Sequence, residues 1–287
     1  MIKIVTDSTH YLPPELVSRY DIQVVPITIL FGTQAYLEGV NIDAEHFFQR
    51  MSSSSIFPTT SQPAPEAFAK LWECLLEQGH EIITVVMSDK ISGILRTVQA
   101  IRENMPASAP ISIVNSLSTA MGLGFQVLRA AELAQEGVPR HDIVAALQRM
   151  REHMQIVLVP DTLENLYRGG RISAAKAWVG TLLDVKPLLS FNKGFIEPIQ
   201  QMRTARRAEA RMLELMTDYL ADDQHPWISV MHSRSPERGR RLLDQLLLRF
   251  PRARFFFSEI GPVLGVHLGI GGTGLIVCRS HGLGAAG

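Results

Sequence analysis

Hydroxyls, amides and carboxylates gather at three places in this chain, each where a run of apolar, largely β-branched residues ends. Ile2–Val5 runs into Thr6-Asp7-Ser8-Thr9. Ile82–Met87 runs into Ser88-Asp89-Lys90-Ile91-Ser92-Gly93. Ile111–Val114 runs into Asn115-Ser116-Leu117-Ser118. In open parallel sheets, ligands bind beyond the carboxyl ends of the strands. A helix beginning there also offers unpaired backbone N–H groups to an anion. The same residue types are the common helix caps, and any one such loop is more often a cap than a ligand site.

Three further constellations bear on chemistry. Ser92, His267 and Asp7 could meet in space as a nucleophile, base and orienting acid, the arrangement of a serine-dependent hydrolase or acyltransferase. No G-x-S-x-G elbow surrounds any serine, which weighs against that reading. Gly269–Gly274 is glycine-rich, but it lacks both the dinucleotide fingerprint and the GxxxxGK[ST] loop, so a tight turn before the last strand is expected. No His/Cys/Asp/Glu spacing points to zinc. His10, His46, His80, His141, His225 and His281 are expected at the surface. Arg203, Arg206, Arg207 and Arg211 read first as a solvated helix face, and second as a dock for an acidic partner in a regulatory module.

The elements that must position these groups alternate in type. Strands are expected at Ile2–Thr6, Ile22–Ile29, Ile82–Met87 and Ile111–Val114. A helix is expected over Pro65–Gln78, and another through Ile143, Val144, Leu147, Met150 and Met154. This alternation implies crossover units and a mostly parallel sheet. Ser52–Ser55 reads as a loop. Beyond residue 154 the expected strands are Ile156–Val159, a pair around Asn192-Lys193-Gly194, Ile228–Met231, Arg254–Ile260 and Leu275–Cys278. Helices are expected near Met212–Leu220 and Arg238–Phe250. The expected fold is therefore α/β with two domains. Residues 1–154 carry the mostly parallel sheet and residues 155–287 a mixed one.

Composition agrees with a folded soluble protein. The chain has 287 residues, 46% hydrophobic and 20% charged, and its 28 basic residues equal its 28 acidic ones. A zero net charge argues against wrapping nucleic acid or an anionic membrane. No signal peptide or apolar span of membrane length is seen. Cys74 and Cys278 give no disulfide framework. A cytoplasmic monomer without metal or cofactor is the expectation.

Several segments together resemble the DegV family. Thr6-Asp7-Ser8-Thr9 with Leu12-Pro13 is similar to its opening motif, and Gly39–Asp43 with Phe47-Phe48 to its next block. Pro58–Pro63 resembles its TSQP loop, and Ser92-Gly93 the start of its SGT motif. Asp161–Ile172, Leu182–Pro187 and Gly261–His267 resemble the later signatures. The matches fall in order over residues 6–267. The chain departs from the pattern at Ile94, where the family has threonine, and at Leu268-Gly269-Ile270-Gly271, where it has Thr-Gly-Pro-Gly.

The resemblance implies a long-chain fatty acid held between two α/β domains, its carboxylate at the junction and its tail in the second domain. By motif position the carboxylate should meet Thr60, Ser92, Arg171 and His267. Ser61, Gly93, Asp7 and Ser8 would stand one step further out. The resemblance also implies a non-catalytic role: the protein presents the acid to a separate ATP-dependent fatty acid kinase. Arg171 would balance the charge and the hydroxyls would donate. If His267 titrates near neutrality, it could tune charge as the head group changes. Leu163, Leu166, Leu182, Leu188, Leu213 and Met216 are candidates for the tunnel, although core and tunnel lining have the same composition.

Overall fold

The computed structural model describes residues 1–172 and 185–284. Strand β1 (Ile2–Asp7) leads through α1 (Pro14–Arg19) to β2 (Gln23–Val25), and the chain then turns away into β3 (Thr28–Phe31) and β4 (Gln34–Leu37). Helix α2 (Ala44–Ser53), β5 (Thr59–Ser61), α3 (Pro65–Glu77), β6 (Glu81–Val86), α4 (Ile94–Glu103), β7 (Ile111–Asn115), α5 (Ala120–Gln135) and α6 (Arg140–Glu152) follow. β2-β1-β6-β7 form one fully parallel sheet.

Three expectations for this half need correction. The run Ile22–Ile29 is two strands in two sheets. Pro26 has no N–H for a ladder, and the next amide, Ile27, donates to the Ser8 hydroxyl at 3.1 Å. β3 therefore joins β4 and β5 in a separate antiparallel sheet. Ser52 and Ser53 lie in the last turn of α2, where their hydroxyls donate back to the carbonyls of Phe48 and Gln49. His10 is buried, and its Nδ1 accepts from the Leu12 amide at 2.9 Å.

The second half contains β8 (Met154–Val159), α7 (Glu164–Arg168), β9 (Lys186–Asn192), β10 (Phe195–Met202), α8 (Ala205–Leu220), β11 (Trp227–His232), α9 (Pro236–Arg249), β12 (Arg254–Glu259), α10 (Pro262–Leu268) and β13 (Thr273–Cys278). The sheet order is β10-β9-β8-β13-β11-β12. Only β11 and β12 run parallel, so this sheet is mixed. Gly269 and Gly271, both at positive φ, make the tight turn into β13.

Strand parity divides the second sheet's side chains between two partners. Val157, Val159, Leu188, Ile228, Val230, Leu275 and Val277 pack against α8 and α9. The alternate positions, Ile156, Leu158, Phe191, Met231 and Ile276, face the first half across an apolar cavity. Helix α5 packs against β1 and β6 and also reaches β13. Its Phe125 ring lies 5.5 Å from Trp227 and 5.4 Å from Phe256, so the core runs continuously between the halves. Among the described residues, no helix is long and apolar enough to cross a membrane.

Candidate ligand-binding site

Two adjoining spaces lie where the halves meet. The first is a polar pocket lined by Thr60, Ser61, Gln62, Ser92, Gly93, Arg171 and His267, with Ile27, Met87, Ile91, Ile94, Val263 and Leu264. The second is an apolar cavity bounded by the sheet residues just named and by Leu166, Thr119, Ala120 and Leu268. Ile91, Arg171, Leu264 and His267 line both and stand at the boundary between the pocket and the cavity.

Each polar side chain is placed by a different element. Thr60 comes from β5, an edge of the small antiparallel sheet, and its Oγ1 lies 3.2 Å from His267 Nε2. Ser92 lies in the loop after β6, and its Oγ accepts from the Ile94 amide at 3.3 Å, which fixes the entry into α4 while the residue also lines the pocket. Arg171 follows α7. Its Nη1 donates to the Gly169 carbonyl at 2.6 Å and its Nε to the Ile91 carbonyl at 3.2 Å, which holds the guanidinium at the boundary between the two spaces.

His267 is carried by α10. Burial, reinforced by the Arg171 cation, pushes its imidazole down to about 4. It is therefore held neutral at pH 7, and the condition for a charge-tuning role, titration near neutrality, is not met. Its Nδ1 is buried without a hydrogen-bond partner among the described residues and faces Gly169, where a Cβ would sit 2.2 Å from it. The glycine in the Arg168-Gly169-Gly170-Arg171 turn thus makes room for the imidazole.

The placement of α10 explains much of Gly261–His267. Glu38, at the end of β4, accepts from the Val263 amide at 2.8 Å, the Tyr11 hydroxyl at 3.0 Å and the Ser8 hydroxyl at 2.5 Å. Burial raises this carboxyl to about 7 despite those donors. One turn on, a Cβ at Gly265 would meet Phe47 and Phe48 at 2.8 Å, so only glycine lets α10 approach α2 this closely. The first half therefore grips α10 at two points and aims His267 and Leu264 into the pocket.

Asp7 and Ser8 do not line either space. Asp7 accepts from the Thr9 amide and hydroxyl at 3.0 and 2.6 Å, and from the Met87 amide at 2.8 Å. Burial raises its pKa in spite of these bonds. Ser8 holds Ile27 and Glu38. Both act on the backbone behind the pocket wall. With Asp7 engaged in this way and His267 Nε2 facing Thr60, the bonds do not assemble a Ser92–His267–Asp7 relay.

Of the tunnel candidates, Leu166 lines the cavity. Leu163 packs with Leu166 and Ile172 beside it. Leu188 has the opposite strand parity and Met216 lies on the buried face of α8, so both belong to the core between the second sheet and that helix, and Leu213 lines an outer groove between α8 and α9. Leu182 lies outside the described residues. Gln62, Ile91 and Leu264 line the polar pocket although no motif singled them out as ligands. Arg206 and Arg207 are exposed on α8, as a solvated face requires.

The family model for DegV, described as an uncharacterised protein family, matches residues 1–280. The chain belongs to the DegV family. A DegV domain-containing protein of Staphylococcus aureus is 38% identical over 277 residues, covering 96% of each chain. Among solved structures, DegV of Bacillus subtilis, a fatty acid binding protein, superposes with a TM-score of 0.89 at 31% identity, covering 97% of this chain and 99% of that one. A fatty acid-binding DegV family protein of Thermus thermophilus gives 0.91 at 30% identity, with the same coverage. The α/β architecture, with its parallel and mixed sheets, is thus that of fatty acid-binding DegV structures.

Proposed function

We propose that this protein binds a long-chain fatty acid without transforming it. The carboxylate sits in the polar pocket and the tail in the apolar cavity between the sheets. The observation that carries this reading is a polar pocket and an apolar cavity that adjoin at Arg171 and His267, which matches an amphiphile with one anionic end. The fatty acid binding recorded for DegV relatives of about 30% identity supports it.

The chemistry is consistent. A buried carboxylate without partners is very costly. Here Arg171 supplies a permanent cation, and Thr60, Ser92 and a neutral His267 supply uncharged donors. Ser61 and Gly93 complete the wall. Burying roughly fourteen methylenes contributes on the order of 11 kcal/mol before ordering costs, against about 1–3 kcal/mol for one head-group contact. The tail should therefore set affinity and the polar pocket should set orientation.

Within this reading the two domains divide at residues 154 and 155, and the lipid lies on the junction face of the second. The protein acts as a monomeric cytoplasmic carrier that presents the acid to an ATP-dependent fatty acid kinase, with no metal or further cofactor. The polar pocket is the end at which such a partner would find the carboxylate.

The direct test is to denature the purified protein, extract it with organic solvent and identify the lipid by mass spectrometry. About one fatty acid per chain is expected. An empty extract, with no uptake from a panel of fatty acids, would contradict the proposal.

A further inference from the structure

The apolar cavity has a second neighbour. Beside it lies a groove bordered by the Ser116–Ser118 loop, the end of α6, the β9–β10 hairpin and α8. Among their described lining residues, the cavity and the groove share only Ile156 and Phe191. A side chain that lines two spaces at once is the partition between them.

The partition stands on the second sheet. β8 and β9 pair at Val157 with Ser190 and at Leu158 with Leu189, and the same register places Ile156 and Phe191 opposite each other at the next position. The hairpin tip is tied to the first half, where the Ser88 hydroxyl donates to the Gly194 carbonyl at 3.0 Å and Lys90 lies over the Phe195 ring. Two apolar side chains on neighbouring strands therefore separate the groove from the cavity.

We propose that Phe191, backed by Ile156, is a specificity-determining residue that limits the length of the acyl chain, and that a longer chain would pass beyond these two side chains into the groove. The inference rests on the fatty acid reading above and adds the end of the tail's path to it. A tail that stops at a side-chain wall is selected by length, because each methylene beyond the wall must displace that side chain. Removing the wall gives those methylenes a place next to Leu215, Ile199 and Tyr219, apolar neighbours in the groove.

The test is a competition. Wild-type protein, Phe191→Ala, Phe191→Leu and, as a control, Leu188→Ala are each incubated with an equimolar mixture of saturated C14 to C22 acids. The bound fraction is then read by mass spectrometry. Phe191→Ala should raise the bound ratio of C20 to C16 about tenfold, the size expected when roughly two more methylenes leave water. Phe191→Leu should move it the same way by less, and it carries the test if the alanine variant fails to fold. Leu188→Ala, on the same strand but facing α8, should leave the ratio unchanged. An unchanged ratio in both Phe191 variants, or an equal loss at every length, would overturn the proposal. Wild-type protein that takes up no acid at all would instead remove the fatty acid reading itself.

Discussion

At the scale of single residues, the site is organised by burial and by one cation. Arg171 spends two donors on the carbonyls of Gly169 and Ile91, so its position is set before a ligand arrives. His267 is neutral because burial and Arg171 both disfavour its proton. That has a consequence for stability. A histidine held at about 4 when folded and near its ordinary value of 6.5 when unfolded contributes stability that is fully present above pH 6.5 and lost as the pH falls toward 4. His10, also lowered to about 4, acts in the same sense. Glu38, raised to about 7, acts oppositely: its contribution is full below 4.5 and is lost as the pH rises through 7. His267→Gln should therefore flatten the acid side of the stability curve. Urea unfolding at pH 6.5 and 4.5 should show a loss smaller by about 2 kcal/mol in the variant than in the wild type. Equal losses in the two proteins would mean that His267 is not held neutral.

At the scale of elements, helix α10 is the piece on which the site turns, because it belongs to the second half and is held by the first. Gly265 and Gly169 separate the two ways it can fail. Gly265→Ala would drive a methyl into Phe47 and Phe48, and overpacking of that kind costs typically about 1–3 kcal/mol. Gly169→Ala would instead meet the His267 ring, so it should reduce ligand affinity more than it reduces stability. Thermal melts together with fatty acid titrations should show this contrast. Equal effects of both variants on both readouts would contradict the assigned role of α10. Some of this element's function could be read in sequence and some could not. Gly261–His267 stood out as a motif, but its clamp Glu38 did not, because a lone glutamate at the end of a short strand carries no pattern that announces burial. The small antiparallel sheet was also missed, because Ile22–Ile29 is β-rich throughout and Pro26 was read over. The parallel sheet was legible, because each of its strands is an apolar β-branched run closed by a turn.

At the scale of the whole molecule, two α/β layers face each other across a cavity whose walls come from one parity of the second sheet. Leu188 and Met216 show why core and cavity could not be told apart by composition, since the residues on each side of that sheet are equally apolar. Period-two parity assigns the strand residues once the strands are placed, with Val157 and Leu275 toward α8 and α9, and Ile156 and Ile276 toward the cavity. The departure at Ile94 puts a buried side chain at the start of α4, beside Ser92 in the polar pocket. On the proposed reading, the head group would rely correspondingly on Thr60, Ser92, Arg171 and His267.

The central claim is that a fatty carboxylate sits among Thr60, Ser92, Arg171 and His267 while its tail fills the cavity. The most direct measurement is carbon-13 NMR of the protein loaded with palmitate labelled at the carboxyl carbon, followed over pH in the wild type, Ser92→Ala and Arg171→Met. A single bound resonance is predicted, remaining ionised to a lower pH than free fatty acid. Ser92→Ala should shift it while retaining the ligand. Arg171→Met should raise its titration by at least about one pH unit, as loss of a neighbouring cation requires. A bound resonance that titrates like exposed carboxylate and is indifferent to both substitutions would place the head group elsewhere and contradict the assignment of this site.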